Sequence, residues 1–205
     1  MGSDRLHGHR VAGGPRLVSF TAFVDESESW QDRDPGTYLL CAAVIAGDMQ
    51  EEFRDQMMQL KRPSQKKVHW HEELTDRGRM ALVHGVASVP AEHLVVVRVG
   101  DTGTRIERRR RLCLERLCYE LEQFGVDDVI VESRGPSDKL DRQLLDTMRS
   151  RRIIGPSLRL HHRPGPAEPL LWVPDVVCGA VTQDRVGNSS FIAPLRTMIT
   201  TIEVS

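Results

Sequence analysis

Apolar residues are spaced along this chain in two periods, one suited to strands and one to helices, and the two alternate. Leu17–Asp25 (LVSFTAFVD) and Tyr38–Ala46 (YLLCAAVIA) are apolar runs of strand length. The SESWQDRDPGT between them carries Asp-Pro-Gly turn chemistry, which predicts a hairpin with a long loop. Asp48 then caps a helix with Met49, Phe53, Met57 and Leu60 on one face, ended by Pro63. KVHWHEEL fits neither period, and Thr75 caps a helix reaching about Val89. His93–Val99 (HLVVVRV) is a third strand. Arg105–Phe124 is the strongest helix, striped by Ile106, Cys113, Leu117, Leu121 and Phe124, with Gly125 at its C′ position. Val126–Glu132, a helix over Pro136–Arg152, a short strand over Leu158–His162 and a helix over Leu170–Asp184 complete the pattern. The tail FIAPLRTMITTIEVS is apolar enough to pack but has no clear period.

Strands alternating with helices predict an α/β sheet covered on both faces. With no repeat and no dividing linker, the expectation is one domain over residues 17–205, preceded by a flexible Gly- and Arg-rich tail over residues 1–16. No segment approaches the roughly 20 apolar residues needed to span a bilayer, and the N-terminus lacks the pattern of a signal peptide. The four cysteines form no C-x-x-C pair, so a reduced, cytoplasmic protein is expected. A net charge of −1 argues against nucleic-acid binding driven by total charge, though a basic face on a balanced protein is compatible with it. Of 28 basic residues only Lys61, Lys66, Lys67 and Lys139 are lysine.

The chemistry lies in the acids. Asp25 ends the first strand and Glu132 the fourth. As parallel neighbours their ends would lie about 4.8 Å apart, and two carboxylates so placed need a proton or a cation between them. The carboxyl ends of strands in an open α/β sheet are also where ligands bind. Asp175, in LLWVPDVVCGAV, is flanked by apolar residues on a helix, where an ionised side chain needs a partner or a metal. Three acids of this kind predict a hard cation with oxygen ligands, Mg²⁺ or Mn²⁺.

FVDES, KVHWHEEL, VIVES and LLWVPDVVCGAV, in that order on those elements, resemble the DUF3800 family of the ribonuclease H-like superfamily. The family's DES element matches Asp25, Glu26 and Ser27; its ADLVAG-type element matches Pro174, Asp175, Val176, Val177, Cys178 and Gly179. The resemblance covers roughly Val18 to Thr182. It implies a ribonuclease H-like fold with a mixed five-stranded sheet, and a divalent-metal nuclease acting on RNA or DNA, RNA slightly favoured. In a two-metal mechanism Asp25 would bridge the ions, with Glu132 and Asp175 each holding one and Glu72 as fourth ligand, a place for which Glu107 and Glu115 compete. The superfamily more often has Asp where Glu132 stands.

Other residues carry weaker signals. His69 and His71 could supply a proton to the leaving group if their segment borders the acids. Paired with His161 and His162 they would make a zinc site, but the spacing matches no zinc pattern. Arg105, Arg108, Arg109 and Arg111 could contact phosphate or form intrahelical pairs with nearby Glu. Two other functions compete: a catalytically inactive binding or partner-control protein of the same fold, and a phosphatase with Asp25 as nucleophile. The latter lacks a second Asp, because Asp-Glu-Ser stands in place of Asp-x-Asp. Oligomeric state is not legible.

Overall fold

In the computed structural model, which describes residues 19–100 and 102–204, six strands form one mixed sheet. The proposed tail over residues 1–16 lies outside the described residues. The strands are β1 (Phe20–Glu28), β2 (Tyr38–Ala46), β3 (Glu92–Arg98), β4 (Asp128–Glu132), β5 (Arg159–Arg163) and β6 (Ile199–Val204), in the order β5-β4-β1-β2-β3-β6. β1, β2 and β3 form an antiparallel meander; β4 runs parallel to β1, β5 to β4, and β6 to β3. The sheet thus has six strands where five were expected. The sixth is the untyped tail, whose ITTIEV pairs along β3 as an edge strand with Thr200, Thr201 and Glu203 exposed and no residue fully buried. A half-exposed edge needs no continuous apolar run, which is why hydrophobicity alone did not mark it.

Alternation along β1 and β2 sends successive residues to opposite faces. Phe23, Leu39, Cys41, Ala43 and Ile45 face α1 (Gln50–Leu60), α2 (Asp76–Ala87) and α5 (Trp172–Arg185). Ala22, Val24, Leu40, Ala42 and Val44 face α3 (Ile106–Phe124) and α4 (Asp138–Ser150). Each layer has its own apolar core, so β1 and β2 are buried on both sides, as their nearly unbroken apolar sequences require. The Thr75 side chain accepts a hydrogen bond from the Gly78 amide at 3.0 Å, so α2 begins at the anticipated cap. No helix among the described residues is long and apolar enough to cross a membrane.

His93 is the outlier of this core. It is fully buried on β3, and neither ring nitrogen has a hydrogen-bond partner among the described residues. Burial pushes its pKa down to about 4 from an ordinary 6.5. The unfolded chain therefore takes up a proton below about pH 6.5 while the folded one stays neutral. His93 should withdraw roughly 3 kcal/mol of stability as pH falls from about 6.5 to about 4, with no effect above that window. Urea unfolding at stepped pH should show this slope in the wild type and its loss in His93→Leu.

Candidate active site

The two carboxylates that end β1 go to different places. Asp25 follows Phe23 onto the α5 face, whereas Glu26 follows Val24 onto the α3 face. Glu132 follows Ile130 on β4 and joins Asp25 on the α5 face. The parallel register Val24↔Val131 sets these two strand ends side by side. Asp175, in the first turn of α5, closes the group from above. Asp25, Glu132 and Asp175 line one cavity of about 240 Å³, together with Glu26, Lys67, His69, Arg110 and Arg134. The three acids singled out in the sequence are thus brought together.

α5 reaches this position because it packs very close to its neighbours. A Cβ on Gly179 would overlap the ring of Trp70, which is buried and makes an edge-on contact with Phe191. The Trp70 amide in turn donates to Asp175 Oδ2 at 2.7 Å, and His69 Nδ1 donates to Asp175 Oδ1 at 2.9 Å. KVHWHEEL, which fitted neither period, runs extended before a short 3₁₀ turn at Trp70–Glu72. Val68 and Trp70 are buried in the core, while Lys67 and His69 line the cavity. Lys67 Nζ lies 2.7 and 2.9 Å from the two oxygens of Glu132.

Two expected residues fall elsewhere. Glu72 and His71 lie in the 3₁₀ turn itself, exposed, and do not line the cavity. The Glu72 side chain meets Gln65 at 3.5 Å. The turn shifts the side chains after Trp70 away from the acids, so His69 takes the position proposed for His71. Glu107 and Glu115 lie on α3, beyond the opposite face of the sheet; Glu107 pairs with Arg134 at 2.5 Å. The histidine pairs do not meet either, because His162 is directed to Asp141 on α4, at 3.0 Å. Of the arginine run, Arg105, Arg108 and Arg111 are exposed, but Arg109 and Arg110 are buried.

Charge balance defines the cavity. Burial, then repulsion by Asp175 and Glu132, raises the Asp25 carboxyl well above the usual carboxylate range; Lys67 and His69 relieve part of this. The His69 pKa rises through its hydrogen bond to Asp175, against the effect of burial. Burial would lower Lys67, but the hydrogen bond and charge of Glu132 outweigh it, so Lys67 stays a cation. The donor set is all oxygen and suits a hard divalent ion in kind. In the present arrangement Lys67 engages Glu132, and His69 with the Trp70 amide engages Asp175. Among the described residues no three His, Cys, Asp or Glu donors converge as a metal-ligand group.

A second polar network adjoins the site on the α3 side of the strand ends, with Glu26 and Arg110 at the cavity wall. Arg110, only 4% exposed as a side chain, pairs with Glu26 and grips Asp141 at 3.2 and 2.8 Å. The Tyr38 hydroxyl, kept protonated by burial, also donates to Glu26. Burial would raise Asp141, but hydrogen bonds from His162 and Arg110 prevail and hold it well below the usual range. Neither Arg110 nor Asp141 had been singled out; the only signal was an arginine interrupting the apolar face of α3.

No family model matches the chain, and no curated protein matches it. Solved structures do. A chain of the PCNA:RNase HII complex from Archaeoglobus fulgidus aligns with a TM-score of 0.55 at 13% identity, over 87% of this chain and 85% of that one. The ribonuclease H2 from Pyrococcus horikoshii OT3 gives 0.54 at 14%, over 87% and 76%. A mutant of Bst-RNase HIII gives 0.53 at 16%, over 82% of this chain and 53% of that one. The chain therefore has a ribonuclease H-like fold.

Replacing Arg110 with Met should leave Glu26 and Asp141 short of a buried cation. We expect a loss of about 3 kcal/mol or more, the scale for breaking a buried pair. Denaturant unfolding of Arg110→Met measures it.

Proposed function

We propose that the protein is a divalent-metal-dependent nuclease that hydrolyses phosphodiester bonds, with Mg²⁺ or Mn²⁺ as cofactor. The observation that carries this reading is the meeting of Asp25, Glu132 and Asp175 in one cavity at the carboxyl ends of parallel strands. The motifs resembling DUF3800 support it, as does likeness to structures of ribonucleases. Likeness to ribonucleases favours RNA as substrate.

Asp25, Glu132 and Asp175 would hold the ions. A divalent ion held there would supply Lewis-acid activation of a water and charge stabilisation at the departing oxygen. The chain's own residues supply the rest. His69, oriented through Nδ1 by Asp175 and raised in pKa, holds a proton for the leaving group. Arg134, 21% exposed and also lining the cavity, puts positive charge where a phosphate would approach. The exposed Arg105, Arg108 and Arg111 extend that charge along α3.

A second reading is a binding protein of the same fold without catalysis. The engagement of Glu132 by Lys67 favours it, because the carboxylate is then satisfied without a metal. Labelled RNA and DNA incubated with Mg²⁺, Mn²⁺ or EDTA separate the two. We expect metal-dependent cleavage that falls more than about 100-fold in Asp25→Asn and Asp175→Asn, beyond the loss typical of outer-shell residues. Intact nucleic acid under every condition, with measurable binding, would establish the second reading instead.

A further inference from the structure

Lys67 stands to the acid cluster as a cation stands to its ligands. Its Nζ contacts both Glu132 oxygens, at 2.7 and 2.9 Å, and its charge also interacts with Asp25 and Asp175. Val68 and Trp70, both buried, follow it in sequence and anchor the backbone on that side, while the side chain is a rotatable four-carbon arm, 24% exposed. A divalent ion using Glu132 would have to share that carboxylate with the ammonium. Two cations about 4 Å apart repel strongly in a partly buried site.

We propose that the Lys67 ammonium is the resident cation of this cluster and that a divalent ion binds only by displacing it from Glu132. Lys67 thereby sets the metal affinity of the site. The inference rests on reading the cluster as a metal centre. It concerns this chain's own counter-ion rather than the metal ligands, none of which is a lysine.

Calorimetric titration of Mn²⁺ into the full chain tests it, alongside unfolding in EDTA. Lys67→Met should bind Mn²⁺ about tenfold or more tightly than wild type, because no tethered charge has to leave. It should also melt at a lower temperature in EDTA, with the gap closing as Mn²⁺ is added. Lys67→Arg, which keeps the charge, should not gain affinity. If Lys67→Met does not fold in EDTA, Lys67→Gln, which retains a donor for Glu132, takes its place in the titration.

Equal or weaker Mn²⁺ binding by the folded uncharged variant would overturn the displacement and leave the metal-centre reading standing. No Mn²⁺ binding by any of the chains would overturn the metal centre itself, and the displacement with it. Tighter binding without cleavage of RNA or DNA would support the displacement and remove only the catalytic reading.

Discussion

Repulsion among three carboxylates is the constraint around which this molecule is arranged. Asp25, Glu132 and Asp175 come from two strands and a helix, and none is free to withdraw into bulk water. Burial and the like charges of Asp175 and Glu132 together push the Asp25 carboxyl well above the usual carboxylate range. The chain offsets that repulsion locally, through the Lys67 ammonium, the His69 ring and the Trp70 amide. All three come from the short segment Lys67–Trp70, pinned by the insertion of Trp70 against Gly179. Packing of an apolar ring and neutralisation of an acid cluster are therefore one structural event, and loosening α5 would undo both.

The period of two along β1 explains why the strand ends in consecutive acids. One carboxylate is delivered to each face. Asp25 enters the candidate site, and Glu26 enters the network of Arg110, Tyr38 and Asp141 beside it. The two sides differ in kind. On the α3 side, guanidinium pairs and hydrogen bonds hold Asp141 firmly ionised. On the α5 side, the balance is incomplete, and Asp25 is driven toward its neutral form. The under-compensated side is thus the one that faces the cavity, while the paired groups of the second network lie against the α3 layer.

What was legible in the sequence follows the range of the forces involved. Strand and helix positions and the Thr75 cap depend on local pattern and were readable, as were the three acids, because a carboxylate amid apolar residues is conspicuous. Lys67 was not read as a site residue, although its signal was present: Lys67, Val68, His69 and Trp70 alternate polar and apolar, as an extended chain with one buried side would. The 3₁₀ turn that follows breaks that alternation, which is why Glu72 and His71 were carried toward a site they do not reach. Arg110 was invisible for another reason. Its partners lie 84 residues upstream and 31 downstream in sequence or on other elements, and a buried arginine has meaning only once they are placed.

The glutamate at position 132 is matched to its surroundings. A Cβ at Gly165 would overlap the Glu132 carboxylate, so the longer side chain occupies space that a glycine leaves open. The loop bearing Gly165 is held in turn. The Trp172 indole donates to the Gly165 carbonyl at 2.7 Å, and Glu168 is gripped by Arg54 of α1 at 2.9 and 3.2 Å. The additional methylene therefore has a built receptor, and Lys67 meets the carboxylate at its end. An aspartate at 132 would retract its oxygens by one methylene and leave an opening beside Gly165. Glu132, Gly165 and Lys67 are best regarded as one unit, in which the length of the acid, the absence of a side chain opposite it and the reach of the ammonium specify one another.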